Sequence, residues 1–286
     1  MRLVRSPWTE RFESLVAEAS NDLVISSPFV SATACDRLIG CVERKGRCGT
    51  LKLTLVTNLS LDNMVSGITN VNAILHVSAC LPLTQVRFIP TLHAKVYVAD
   101  SKRAIITSAN LTDGGLYRNL EYGVEVEDPA AVREVRKDVE DYAALGPLVP
   151  ATTLASLAEA ANRVSIEKKM VEPDAAREIR VALRKLLETA NDTVLKARTA
   201  GRSLTAILED TIVYLLGRSP LATTEIHARV QQIHPDLCDD SVDRVIDGRS
   251  YGKRWKHSVR TAQSHLKERG VILRLAGGQW VLSESI

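Results

Sequence analysis

The chain has 286 residues, 45% of them hydrophobic and 25% charged, which is the balance of a globular protein of about two domains and excludes a disordered or fibrous chain. Its net charge is only +3, but residues 1–150 hold 16 basic and 17 acidic side chains whereas residues 151–286 hold 21 and 17, so the second half is the basic one. No apolar run approaches the roughly 20 residues of a bilayer span, and Arg2 and Arg5 precede no apolar h-region, so neither a membrane contact nor a secretory signal is expected and a cytoplasmic address follows.

In chain order, residues 1–143 alternate helical and extended patterns. A helix over 9–19 is followed by a strand over 22–29, a helix over 32–45, a strand over 51–58, a helix over 61–77 and a strand over 85–90. Three extended runs then follow closely, over 93–100, 104–110 and 121–126, and a helix over 129–143 begins with Pro129 at its first turn. Residues 151–198 are rich in Ala, Leu, Glu, Lys and Arg at helical spacing and are interrupted at Pro173, the pattern of a two-helix connector that Gly201 ends. Short helices over 204–216 and 224–233 and a longer one over 256–269 come next, and two strands around Gly277-Gly278 close the chain. The expected fold class is therefore α/β, with a mixed sheet flanked by helices over 1–150, a helical connector over 151–202, and a small winged-helix-like α+β domain over 203–286.

The segment HAKVYVAD places His93, Lys95 and Asp100 in the spacing HxKxxxxD, and the next extended run ends in TSAN at 107–110. Side chains two apart on a strand share a face, so His93 and Lys95 are expected to converge with Ser108 and Asn110 of the neighbouring strand. Hydrolysis of a phosphodiester needs a nucleophile, a proton donor for the leaving oxygen and donors for the nonbridging oxygens. A neutral imidazole, an ammonium and two neutral donors supply those functions without a metal or other cofactor. The five cysteines, Cys35, Cys41, Cys48, Cys80 and Cys238, form no CxxC pair and are read as reduced core residues. A lone His at a strand end is usually structural; its polar companions on buried strands argue for a shared purpose.

These residues resemble the HKD motif of the phospholipase D superfamily. His93, Lys95, Asp100, Ser108 and Asn110 fall on the motif positions, and Glu121 in RNLEYG falls on the downstream acidic one. The resemblance covers most of residues 20–145. It implies that His93 is a covalent nucleophile and that Glu121 hydrogen-bonds its imidazole and fixes the tautomer. Asp100 is assigned a bracing role. Thr107 stands where the family usually has Gly, which implies a less close approach of backbone to phosphate.

The resemblance also implies two imidazoles per site, and this chain has one such motif, since His265-Leu-Lys267 has Ile272 at the acidic position. A homodimer is expected, one His93 attacking phosphorus while the other protonates the leaving oxygen, with a bell-shaped pH dependence belonging to the pair. The stretches SANLTDGG and RNLEYGVEVEDP look like single-motif nucleases of bacterial restriction and phage-defence systems. The implied activity is a metal-independent endonuclease acting on DNA through a phosphohistidine.

In the basic half, Lys253, Arg254, Lys256, His257, Arg260 and Lys267 surround the helix over 256–269 and are expected to contact DNA phosphates, against the plainer reading of a solvated face opposite the buried stripe Val259, Ala262 and Leu266. Trp255 and Trp280 are read as core residues. Two alternatives stand beside this reading: a non-catalytic DNA-binding regulator with a phospholipase D-like dimerisation or ligand domain, and a C-terminal half that docks a helicase or other defence subunit.

Overall fold

Apolar side chains fill consecutive positions of the central strands, so that both faces of the sheet they form are covered. The computed structural model describes residues 1–170, 177–199, 202–246 and 249–283, and the chain divides into two compact units, Met1–Ala200 and Gly201–Ile286.

The first unit is built on seven strands: β1 (Arg2–Arg5), β2 (Asp22–Ser26), β3 (Lys52–Thr57), β4 (Thr84–Phe88), β5 (Val96–Ala99), β6 (Arg103–Thr107) and β7 (Tyr122–Val126). Their spatial order is β1-β7-β6-β5-β2-β3-β4. β2, β3 and β4 are parallel neighbours, joined by helical crossovers, whereas β5, β6, β7 and β1 pair antiparallel. Leu23 and Ile25, Leu53 and Leu55, and Tyr97 and Ala99 face one apolar cluster, which they share with α1 (Thr9–Glu18), α2 (Ala32–Arg44) and α4 (Val71–Cys80). The intervening Val24, Val56, Val96 and Val98 face a second cluster with Val132 and Val139 of α5 (Pro129–Ala144).

Several elements depart from the sequence reading. The helix expected over 61–77 is two, α3 (Leu61–Val65) and α4, because the chain turns at Gly67 with φ +74° and Asn70 then caps α4 by accepting from the Ala73 amide at 3.0 Å. β1 carries too short a pattern to be read. The connector is part of the first unit: Leu154, Leu157, Ala161 and Val164 of α6 (Ala151–Met170) and Ala190 and Ala197 of α7 (Arg177–Thr199) are buried in the larger cluster, with α6 against α3 and α4. Pro173, the expected interruption, lies outside the described residues.

The second unit contains α8 (Leu204–Leu216), β8 (Leu221–Ala222), α9 (Thr223–Ile233), β9 (Asp243–Ile246), β10 (Arg249–Lys253), α10 (Arg254–Glu268), β11 (Ile272–Arg274) and β12 (Gln279–Leu282). Leu208 and Ile212, Ile226 and Val230, and Trp255, Val259 and Leu266 pack α8, α9 and α10 together. β11, β12 and β8 form a three-stranded antiparallel sheet beside them. The antiparallel pair β9–β10 has no counterpart in the sequence reading, since its side chains are largely exposed and carry no apolar alternation.

One polar cluster is buried within the first unit. Glu125 of β7 is fully buried, accepts from Arg103 of β6, and is joined by Arg11 at 3.3 Å; Arg103 also reaches Glu18 at 2.8 Å and the Ser14 hydroxyl at 2.9 Å. Removing Glu125 would leave the buried Arg103 with the largely exposed Glu18 carboxylate as its counter-charge. Glu125→Ala is expected to lower the unfolding free energy by about 3–5 kcal/mol, measured by urea denaturation, and a change under about 1 kcal/mol would mean that the pair contributes no more than a surface one.

Candidate functional site

The register of three antiparallel strands decides where the motif residues meet. Val96 pairs with Ile106 across β5 and β6, and Thr107 pairs with Gly123 across β6 and β7. The start of β5, the end of β6 and the start of β7 therefore lie at one edge of the sheet. The end of β2 lies there too, since Ser26 pairs with Val96.

His93 and Lys95 precede β5, Ser108 and Asn110 follow β6, and Glu121 precedes β7. The sequence reading puts all five on extended runs; the structure ends the ladders just short of them, and the connections before β5 and between β6 and β7 carry them instead. Loops free the backbone from the ladder pattern, so polar side chains need not alternate with the core.

Within this edge the Lys95 ammonium donates to the His93 carbonyl at 2.7 Å, and the Thr107 amide donates to the Lys95 carbonyl at 3.1 Å. Lys95 is buried; burial lowers its ammonium below the ordinary value of 10.5, and the Glu121 carboxylate opposes that shift. The Ser108 hydroxyl donates to Glu121 Oε2, and the Asn119 amide donates to Glu121 Oε1 at 3.1 Å. Glu121 is expected to bond the His93 imidazole; the bonds its oxygens make in the structure are to Ser108 and Asn119. The His93 side chain is exposed. Asn110 Oδ1 is buried without a hydrogen-bond partner, an arrangement that costs free energy unless something outside the chain compensates it.

Residues that sequence reasoning missed hold the Ser108–Asn110 loop. The Tyr97 hydroxyl donates to the Ala109 carbonyl at 3.0 Å, and the Ser27 hydroxyl accepts from the Leu111 amide at 2.8 Å. Tyr97 reads in sequence as one more core position of β5, and nothing in its spacing marks the hydroxyl. Gly115 and Gly123 permit close approach: a Cβ on Gly115 would sit 2.3 Å from the Asn110 carbonyl oxygen, and one on Gly123 would sit 2.4 Å from that of Ile106. Thr107, in the position where Gly is usual, is buried, accepts from the Ala109 amide at 3.2 Å and donates to the Tyr122 carbonyl at 3.3 Å. Its hydroxyl thus serves the turn after β6.

Asp100 stands at the opposite end of β5 from His93. Its carboxylate accepts from the amides of Ser20, Asn21 and Asp22 at 3.1, 2.9 and 3.1 Å, and Lys102 lies 3.6 Å away. Burial by itself would raise its pKa, but the three amides and Lys102 outweigh burial and hold it below the ordinary 3.8.

In the second unit, Arg254, Arg260 and Lys267 are exposed on α10, and Lys256 lies over the Trp255 ring at 5.4 Å. Two residues of the expected DNA-contacting set have internal partners. Lys253 pairs with Asp243 at 2.8 Å, and His257 bonds both Arg244 and the Tyr251 carbonyl. Trp255 and Trp280 are buried with their ring N–H groups on Asp240 and Thr223.

The depressed Asp100 pKa sets a sign. Its contribution to stability is complete above the unfolded-state value and is lost as pH falls through the lower folded-state value. The difference in unfolding free energy between wild type and Asp100→Asn is expected to be constant near neutrality and to narrow below pH 3.8. Chemical denaturation across that range checks it, and a difference that does not narrow overturns the assignment.

Residues 14–142 match the family model described as "Cardiolipin synthase, PLD-like domain". No curated protein matches the chain. Similar solved structures include the phospholipase D family member Nuc from Salmonella typhimurium, 15% identical with a TM-score of 0.42 over 51% of this chain and 95% of that one. NucT from Helicobacter pylori is 18% identical with a TM-score of 0.38 over 49% and 92%, and the archaeal chromatin protein TrmBL2 is 16% identical with a TM-score of 0.37 over 52% of each chain. The motif and strands β2 to β7 of the mixed sheet lie within residues 14–142, the part of the chain that is similar to this PLD-like family model.

Proposed function

We propose that the first unit is a phosphodiesterase that cleaves DNA without a metal ion, through a phosphohistidine at His93 and at a site completed by a second copy of the chain. The observation that carries this reading is the shared edge at which the ends of β5, β6 and β7 bring His93, Lys95, Ser108, Asn110 and Glu121 together. The resemblance of SANLTDGG and RNLEYG to single-motif nucleases supplies the proposed setting, restriction or phage defence.

In the proposed mechanism the neutral imidazole of His93 attacks phosphorus. A P–N bond forms as the P–O bond to the leaving oxygen breaks, and that oxygen takes a proton from His93 of the partner subunit. Water then attacks the phosphohistidine while the partner's His93 takes its proton, and the P–N bond breaks to release the product and restore the imidazole. Lys95 supplies positive charge to the nonbridging oxygens, and its burial strengthens that interaction by excluding water. Asn110 offers an amide whose buried oxygen lacks a partner; a half-turn of the amide presents its nitrogen as a donor instead. Glu121, held by Ser108 and Asn119, acts on Lys95 through its charge.

The second unit is proposed as a winged-helix-like DNA-binding module. The helices α8, α9 and α10 followed by the β11–β12 hairpin support it, as do the exposed Arg254, Arg260 and Lys267. The second copy is proposed to pack on the loop before β7, where Leu120 is 99% exposed directly before Glu121. An aliphatic side chain so placed gains free energy when a partner covers it.

Cleavage of DNA in excess EDTA tests the chemistry. Wild type is expected to cut, and His93→Ala to lose on the order of 10³-fold or more in rate; loss of wild-type cutting in chelator overturns the mechanism. Leu120→Asp is expected to convert dimer to monomer in sedimentation and to lower cleavage in step, whereas an undisturbed dimer places the interface elsewhere.

A further inference from the structure

The hairpin β9–β10, which the sequence did not announce, is joined to α10 through the His257 imidazole. The Arg244 guanidinium can only donate, so His257 Nδ1 accepts from it at 3.2 Å; the Tyr251 carbonyl can only accept, so Nε2 carries the proton toward it at 2.8 Å. The two bonds together require neutral His257, which ties the hairpin to the helix and spends one of the donors of Arg244.

Beside this strut is a cleft of about 390 Å³. Arg244 enters it from β9 and Arg254 from the first turn of α10, with the hydroxyl-bearing Ser258 and Thr261 from the next turns. The acidic member, Asp243, is neutralised by Lys253 at 2.8 Å and accepts from the Ser250 hydroxyl at 3.0 Å. Two guanidiniums from different elements, flanked by hydroxyls and with the nearby carboxylate already paired, suit a tetrahedral oxyanion.

We propose that this cleft binds a phosphate group of the nucleic-acid backbone, so that the hairpin grips the strand as a second arm beside α10. The inference rests on the reading of the second unit as a nucleic-acid-binding module and assigns Arg244, which that reading does not use. A polymer fits the surroundings better than a free phosphate does. Arg260 and Lys267 add exposed positive charge further along α10, about a third of a turn or more around the helix from Arg254. On the hairpin, Tyr251 is 48% exposed with Arg249 over its ring at 5.7 Å, a surface suited to an unpaired base or a sugar.

The test uses the full chain and a labelled DNA oligonucleotide, with binding read by anisotropy across a salt series. Arg254→Ala and the double variant Arg244→Ala/Arg254→Ala are expected to weaken binding roughly tenfold per contact and to flatten the slope of log K against log salt by about 0.7–0.9 per lost phosphate contact. Because Arg244 also braces the hairpin, Arg254→Ala carries the result if the double variant melts at a lower temperature. Wild-type affinity and slope in both variants, with Lys267→Ala still weakening binding, overturn the cleft and leave the module standing. Absence of salt-dependent binding by the wild-type chain overturns both. Displacement of the oligonucleotide by inorganic phosphate at an equal concentration of phosphate groups assigns the cleft to the free anion and overturns the backbone contact.

Discussion

Antiparallel pairing of β5, β6 and β7 is the constraint on which the candidate site depends. Because β5 runs away from this edge and β6 runs back to it, where β7 begins, residues far apart in sequence, from His93 to Glu121, lie at one edge of the sheet. A parallel arrangement would send each return through a crossover and separate them. The parallel half, β2 to β4, builds core with its crossover helices, and the antiparallel half both builds core and carries the candidate site at its edge.

Polar groups at this edge are held by a lattice of short bonds to backbone. Ser27 and Tyr97 fix the loop after β6, Lys95 is anchored on the His93 carbonyl, and Glu121 is gripped from both sides. Such anchoring reduces the rotamer freedom that would otherwise be lost on binding a substrate. At the other end of β5, Asp100 collects three amides at the start of β2, so the strand that presents His93 and Lys95 is pinned at its far end by a charge. The two ends of one short strand thus use polar residues for opposite purposes.

The second unit follows a different logic. Its core is a small three-helix cluster with a three-stranded sheet, and its basic residues are divided between those with internal partners and those exposed. Glu209 takes both His265 at 3.3 Å and Arg269 at 2.5 Å, which removes those two side chains from the group available to a ligand. The first turns of α10 and the hairpin before it keep Arg254 and Arg244 directed to one cleft.

The sequence by itself determined the core positions of the central strands, the existence of most helices and the motif HxKxxxxD with its TSAN and RNLEYG companions, because each of these is a local pattern of period or spacing. It misjudged where β5 begins and β6 ends, since the ladder stops where its partners stop and not where alternation does. It read residues 151–198 as a connector because helical spacing records that a face is apolar but not what covers it; contact with α3 and α4 decided that. The partners of Glu121, the role of the Tyr97 hydroxyl, the break between α3 and α4, and the β9–β10 hairpin were decided only in three dimensions. Each depends on which side chain, among several of suitable chemistry, comes within hydrogen-bonding distance once the strands are in register.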